Sequence, residues 1–121
     1  MKTIFGPAGI PINQSDNISG IKYSSSKGLL AYELEFVRGV KMSEQLMKEV
    51  KKTAEECKVT LSCHAPYWIN CCNEEKFDTN KRNLIQSINA SVIMGLKTIV
   101  FRIKYIANVF LFFYKARILQ V

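Results

Sequence analysis

The decapeptide Leu61-Ser62-Cys63-His64-Ala65-Pro66-Tyr67-Trp68-Ile69-Asn70 sets the only histidine of this 121-residue chain at the end of an apolar run. An imidazole that a strand delivers into a loop can bind a metal or move a proton near neutral pH. The competing reading is a structural histidine beside a turn-forming proline. Cys63, His64, Cys71 and Cys72 have the residue types of a structural zinc site, but they lack paired C-x-x-C spacing. Cys63 and His64 are also neighbours on an expected strand, so they point to opposite faces.

A second group lies upstream. From Leu29 to Phe36 the residues alternate, with Tyr32, Leu34 and Phe36 on one side and Glu33 and Glu35 on the other. One or both glutamates are candidates for a metal ligand or for a carboxylate that orients one; a buried salt-bridge partner is the other reading. Arg38, just past that strand, is a candidate phosphate contact or a solvated loop residue.

These groups need elements to hold them. Thr3-Ile4-Phe5 is expected as a strand running into Gly6-Pro7-Ala8-Gly9-Ile10-Pro11, whose prolines forbid a helix. Asp16 to Lys27 is a helix candidate weakened by Gly20 and three serines, and Gly28 ends it. Ser43 is the N-cap of a helix reaching Cys57, with Leu46, Met47, Val50, Ala54 and Cys57 as its apolar stripe. Glu44 with Lys48, Lys51 with Glu55 and Lys52 with Glu56 pair on its wet side. Val59 to Cys63 is the next strand. Asp78 or Thr79 caps a further helix through Met94, with Leu84, Ile85, Ile88 and Val92 inward and Gly95 as its stop, and 97–101 returns to strand. Strands alternating with helices predict parallel βα units. The Gly6-Pro7-Ala8-Gly9 turn lacks the GxGxxG spacing of a dinucleotide fold.

Composition fits one folded domain: 48% of residues are hydrophobic and 22% charged. The net charge of +7 is not spread evenly. Residues 1–78 carry 10 Lys+Arg against 10 Asp+Glu, whereas residues 79–121 carry 7 Lys+Arg and no acid. Global basicity is therefore weak support for nucleic-acid binding by the part that holds the histidine. No signal-peptide pattern opens the chain, so free thiols in a reducing cytoplasm are expected.

Three segments in order carry a resemblance: Phe5-Gly6-Pro7-Ala8-Gly9-Ile10-Pro11, then the stretch from Gly28 through Glu33-Leu34-Glu35-Phe36-Val37-Arg38-Gly39-Val40, then Ser62 to Asn70. Together they resemble the N-terminal half of endonuclease IV, the second family of apurinic/apyrimidinic endonucleases, in its archaeal-type branch of the xylose-isomerase-like superfamily. The resemblance covers residues 1–101. It implies an α/β fold, an incomplete (β/α)8 TIM barrel of about four strands and three helices. It implies DNA repair by hydrolysis of the phosphodiester 5′ to an abasic site, with a zinc cluster at the strand ends. His64 matches a zinc-binding histidine, Tyr67 the aromatic that enters DNA beside the lesion, and Asn70 a polar residue of the same loop. Zinc is a chemically sensible partner for an imidazole, since it lowers the pKa of bound water to about 7.

The sequence leaves the family pattern abruptly. After Ile99-Val100-Phe101 the family has a His-Pro-Gly segment with a further zinc ligand; here the chain reads Arg102-Ile103-Lys104-Tyr105. Arginine stays protonated and cannot ligate zinc. One matched ligand cannot hold a cluster, so the chain alone is expected to be inactive. Residues 102–121 lack Gly, Pro, Ser, Thr, Asp and Glu and read as a divergent tail, frame-shifted or otherwise out of family, on a truncated product. Tyr105 to Tyr114 is apolar between cations but too short to span a bilayer, leaving contact with a membrane surface as a reading. Open sheet edges on half a barrel predict self-association. The alternatives in function are a non-catalytic relic or basic membrane- or DNA-binding module, and a sugar isomerase or epimerase of the same superfamily using Glu33 or Glu35.

Overall fold

The computed structural model describes residues 3–70, 72–104 and 111–117, with side chains described as far as residue 101. The order is α1 (Asn17–Ser26), β1 (Ala31–Glu35), α2 (Glu44–Glu56), β2 (Thr60–His64), a 3-10 turn (Glu74–Lys76), α3 (Phe77–Ile93), β3 (Thr98–Lys104) and β4 (Leu111–Arg117). The sheet order is β1-β2-β3-β4; β1, β2 and β3 are parallel, and β4 runs antiparallel to β3.

Local chemistry sets the helix boundaries. Asp16 accepts from the Ser19 amide at 2.7 Å while Ser19 Oγ accepts from the Asp16 amide, a reciprocal cap that starts α1 despite its glycine and serines. Ser43 Oγ accepts from the Leu46 amide at 3.2 Å and starts α2 where the sequence places it. Met47, Val50 and Ala54 are buried, and the three expected i,i+4 ion pairs form on the exposed side. Exposed pairs of that kind contribute little, whereas a cap satisfies a backbone donor. Ser43→Ala is accordingly expected to lower stability by about 1 kcal/mol; an unchanged urea midpoint would refute that role.

The core lies between the helices and one face of the sheet, where Tyr32, Leu34, Phe36, Cys63 and Ile99 meet Ile21 and Val50. α3 presents a different side from the one its apolar residues suggest. Asn80, Ser87, Ala90 and Ser91 are buried, Leu84 and Ile88 are half-buried, and Ile85 and Val92 face outward. The serines can be buried because each hydroxyl donates within its own helix, Ser87 to the Asn83 carbonyl and Ser91 to the Ser87 carbonyl. Ser91 Oγ lies 3.0 Å from Cys63 Sγ on β2.

The expected incomplete TIM barrel is corrected by this topology. The sheet is open, only three strands are parallel, and nothing in a three-stranded parallel sheet with three helices is specific to a barrel. Two local causes are visible. Thr3-Ile4-Phe5 does not form a strand: the segment lies beside β1, with Phe5 and Pro7 carbonyls accepting from Ala31 and Glu33 and the Gly9 amide donating to Glu33 O, but it makes only an isolated bridge at Ala8. Pro7 has no amide to extend that ladder. At the other edge, the short connection over 105–110 suits an antiparallel return, because a parallel neighbour needs a crossover of a dozen or more residues. Residues 111–117 of the divergent tail thus contribute β4, paired with β3 from Thr98↔Arg117 to Lys104↔Leu111. No helix of the described residues is long and apolar enough to cross a membrane.

Candidate functional site

Helices cover one face of the sheet, and the opposite face carries the candidate residues. Parallel pairing sets Glu33 beside Ser62 and Glu35 beside His64, and His64 beside Val100 on β3. Paired residues share a face, so Glu35 and His64 stand side by side at the C-terminal ends of β1 and β2. The next residue along β2 in the other direction, Cys63, points into the helix layer. Its thiol is buried, lies 3.0 Å from Ser91 Oγ, and is pushed up to about 11 by burial, against the opposing effect of its hydrogen bond with Ser91. A shared Cys63–His64 metal site is geometrically impossible. Cys57, Cys63 and Cys72 are free thiols; Cys71 lies outside the described residues.

His64 is oriented by its own loop. Nδ1 lies 2.6 Å from the Ala65 carbonyl oxygen, which can only accept, so Nδ1 carries the proton and the lone pair of the neutral ring is at Nε2. This is the arrangement by which proteins hold a ligating imidazole in one tautomer. The ring is half-buried and lines a recess of about 290 Å³ with Glu35, Val37 and Tyr67.

Glu35 is seated by a residue that the sequence reading treated only as a turn. Gly9 has φ +78°, and a Cβ there would lie 2.9 Å from Glu35 Oε2. Its missing side chain leaves the room that the carboxylate occupies. The sequence signal was present in Gly6-Pro7-Ala8-Gly9, but the long-range partner was not. Glu33, one pleat deeper, lines a separate groove with Phe5, Pro7, Ala31 and Ser62 and does not share the His64 recess.

The loop after β2 projects Tyr67 and Trp68, 54% and 43% exposed, as an edge-to-face pair with ring centroids 5.5 Å apart. Ring edges meeting ring faces make each aromatic support the other in an exposed position. Asn70 faces inward along the loop: its Oδ1 accepts from the Cys72 amide, and its carbonyl accepts from buried Asn80 Nδ2 at 2.7 Å. Its visible work is holding the loop on α3. Arg38 sits in the exposed turn closed by the Gly39 amide donating to Phe36 O, beside an open groove of about 370 Å³ that also takes in Asn17, Glu35 and Lys41.

The structure therefore brings together Glu35, His64 and Tyr67, places Arg38 on the adjacent turn, and leaves Glu33 and Asn70 in other surroundings. Among the described residues no group of three or more His, Cys, Asp or Glu side chains is placed to hold a metal ion. Two donors are fewer than the four that zinc takes in protein sites, so this set does not fit a zinc cluster.

No protein-family model matches the chain. It is similar to an uncharacterised protein of Methanocaldococcus jannaschii, 36% identical over 104 residues, which cover 84% of this chain and 37% of that protein. The chain thus spans little more than a third of the length of the curated relative it matches.

Proposed function

We propose that this chain carries part of an endonuclease IV-like DNA-repair site, recognising DNA at abasic lesions without cleaving it on its own. The observation that carries the reading is the fixed imidazole of His64, with Nε2 open, between Glu35 and an exposed aromatic loop. The motif order in the sequence supports the same reading. Zinc, if further donors complete the site, would supply an activated water and a polarised phosphodiester oxygen. Of such donors the described residues supply only His64 and Glu35. What the chain itself offers is a stacking surface at Tyr67 and Trp68, which suits unstacked or missing bases, and a cation at Arg38 for the backbone. In this reading it acts in the cytoplasm, where the free thiols persist.

Fluorescence anisotropy with a duplex bearing one abasic analogue, against the same duplex intact, tests the proposal. Binding to the abasic duplex is expected to be about tenfold tighter, and Tyr67→Ala to remove most of that preference, on the order of 1 kcal/mol. The single histidine makes a companion measurement unambiguous: zinc should shift the His64 ring resonances only at millimolar concentration, and Glu35→Gln should weaken the response. Equal affinity for both duplexes would sink the DNA reading. Ring signals indifferent to zinc would remove the metal part.

A further inference from the structure

The basic end of the chain acquires an order once β3 and β4 are paired. Ile99 is buried and pairs with Cys63 in the helix layer, whereas Val100 pairs with His64 on the helix-free face. A strand alternates its faces residue by residue, and the antiparallel register carries that alternation across to β4. The helix-side positions of the hairpin are then Ile99, Phe101 and Ile103 with Phe112, Tyr114 and Ala116. The helix-free positions include Arg102 and Lys104 on β3 and Lys115 and Arg117 on β4. These are four of the seven Lys+Arg after residue 78, a stretch that has no acid. No two of them oppose each other across the ladder: Arg117 pairs with Thr98, Lys115 with Val100, Arg102 with Phe113 and Lys104 with Leu111. The cations therefore occupy four successive levels of one face. At about 3.4 Å per residue and two residues per level, they stand about 7 Å apart in a row of about 20 Å.

We propose that the helix-free side of the β3–β4 hairpin binds the phosphate backbone of duplex DNA, along the strands and without regard to base or lesion. A DNA strand carries one phosphate per about 3.4 Å of axis, so the row passes about six of them. Evenly spaced cations in a line suit a linear polyanion. A bilayer surface would instead need the apolar positions of the hairpin on the outer side, and the six on the helix side are committed to the fold. Acids do not cancel the row. On the same face Glu33 and Glu35 stand on β1, two strands from β3 and three from β4. At about 4.8 Å per strand that is about 10 and 14 Å, beyond the Debye length of about 8 Å at physiological salt. The exposed acids Glu74, Glu75 and Asp78 are matched in number by Lys76, Lys81 and Arg82, and exposed Lys97 just before β3 adds to the positive sign. The two glutamates also give the backbone a reason to keep to the hairpin. Glu35, His64, Val100 and Lys115 form one cross-strand row, so a backbone held there passes beside the His64 recess. The inference rests on the DNA reading for the identity of the polymer, whereas lesion preference is a separate property.

Anisotropy of an intact duplex with the whole chain, between about 50 and about 200 mM salt, is the test. Four phosphate contacts predict a slope of about −3.6 in log K against log salt, a weakening of about 150-fold over that range. Lys115→Gln with Arg117→Gln should halve the slope, and Arg102→Gln with Lys104→Gln should do the same from the other strand. Far-UV circular dichroism shows that each variant is folded, and two pairs on different strands guard against the loss of one. Lys22→Gln with Lys52→Gln, exposed on α1 and α2, should leave the slope as it is. A slope that halves in the hairpin variants supports the row even where intact and abasic duplexes bind equally, the result that sinks the lesion reading. A slope unchanged in both hairpin variants, or lowered as much by the α1 and α2 pair, would overturn the proposal. So would an intact duplex that does not bind at the lower salt, whether or not phosphatidylserine vesicles do.

Discussion

Gly6→Ala is expected to detach the N-terminal segment from the sheet and to lower stability by about 3 kcal/mol. A Cβ at position 6 would lie 1.6 Å from the Ala31 carbonyl oxygen and 2.2 Å from its carbon, both backbone atoms of β1. A flexible side chain can swing aside; a strand inside a paired sheet cannot. Relief therefore requires that residues 5–9 leave their place. That displacement breaks the bonds from the Leu30 and Ala31 amides to the shared Phe5 carbonyl, from the Glu33 amide to the Pro7 carbonyl and from the Gly9 amide to Glu33 O. Counting the shared Phe5 acceptor once, at about 1 kcal/mol for each acceptor, sets the estimate. Hydrogen exchange reads the effect residue by residue: the Glu33 amide should lose protection while Leu34 on the same strand keeps it. The seat that Gly9 provides for the Glu35 carboxylate should go with the segment, so the metal response at His64 should weaken in the same variant. Wild-type protection at Glu33 would show that the sheet can yield at Ala31 and that the close approach is not required.

Raising the pH from 8 to 12 should remove on the order of 5 kcal/mol of stability through two buried groups, with the loss starting near pH 9. Burial pushes the Cys63 thiol from 9.0 up to about 11, opposed by its hydrogen bond with Ser91 and reinforced by the charge of Glu33. Burial likewise pushes the Tyr32 hydroxyl from 10.0 up to about 12, with the charges of Asp16 and Glu35 acting in the same direction. Both groups hold their protons more tightly folded than unfolded. Their contribution is complete below the unfolded values and disappears as pH rises through the folded ones, across about 9 to 11 for Cys63 and 10 to 12 for Tyr32. Two shifts of about two units are each worth on the order of 3 kcal/mol, comparable together to the whole stability of a small domain. Urea unfolding at stepped pH is the measurement. Cys63→Ala should flatten the first half of the fall and Tyr32→Phe the second, although the latter also gives up the bond from Tyr32 Oη to Asn17 Oδ1. A stability that stays level between pH 9 and 11 would contradict the account of Cys63.

The helices and the central strands were legible in the sequence because their signals are local. Ser43 announces α2, the alternation at Tyr32-Glu33-Leu34-Glu35 announces β1, and the apolar run before His64 announces β2. The placement of His64 at a strand end, on the face opposite Cys63, followed from the two-residue period alone. What failed depended on partners distant in sequence. Ile85 and Val92 look like core residues by type, but serines that satisfy their own hydroxyls face the sheet instead. Residues 102–121 lack turn signals, so nothing local marks a return, and β4 is recognisable by its pairing with β3. Glu33 and Glu35 are alike in sequence, and only the seat at Gly9 and the register with His64 separate their surroundings. The zinc set suggested by the family resemblance was read from single motifs, whereas a metal centre is defined by side chains converging from several elements.

The antiparallel pairing of β3 with β4 also has a kinetic side. A hairpin closes in about 1–10 μs once both arms exist, faster than parallel pairings that must first fold a crossover helix between their strands. On the ribosome the order is reversed, because β4 is synthesised last of the described elements. At about 5–20 residues per second the outer edge of β3 waits on the order of a second for its cover. During that interval the edge of β3 is open to a wrong strand; afterwards the edge of the sheet is β4.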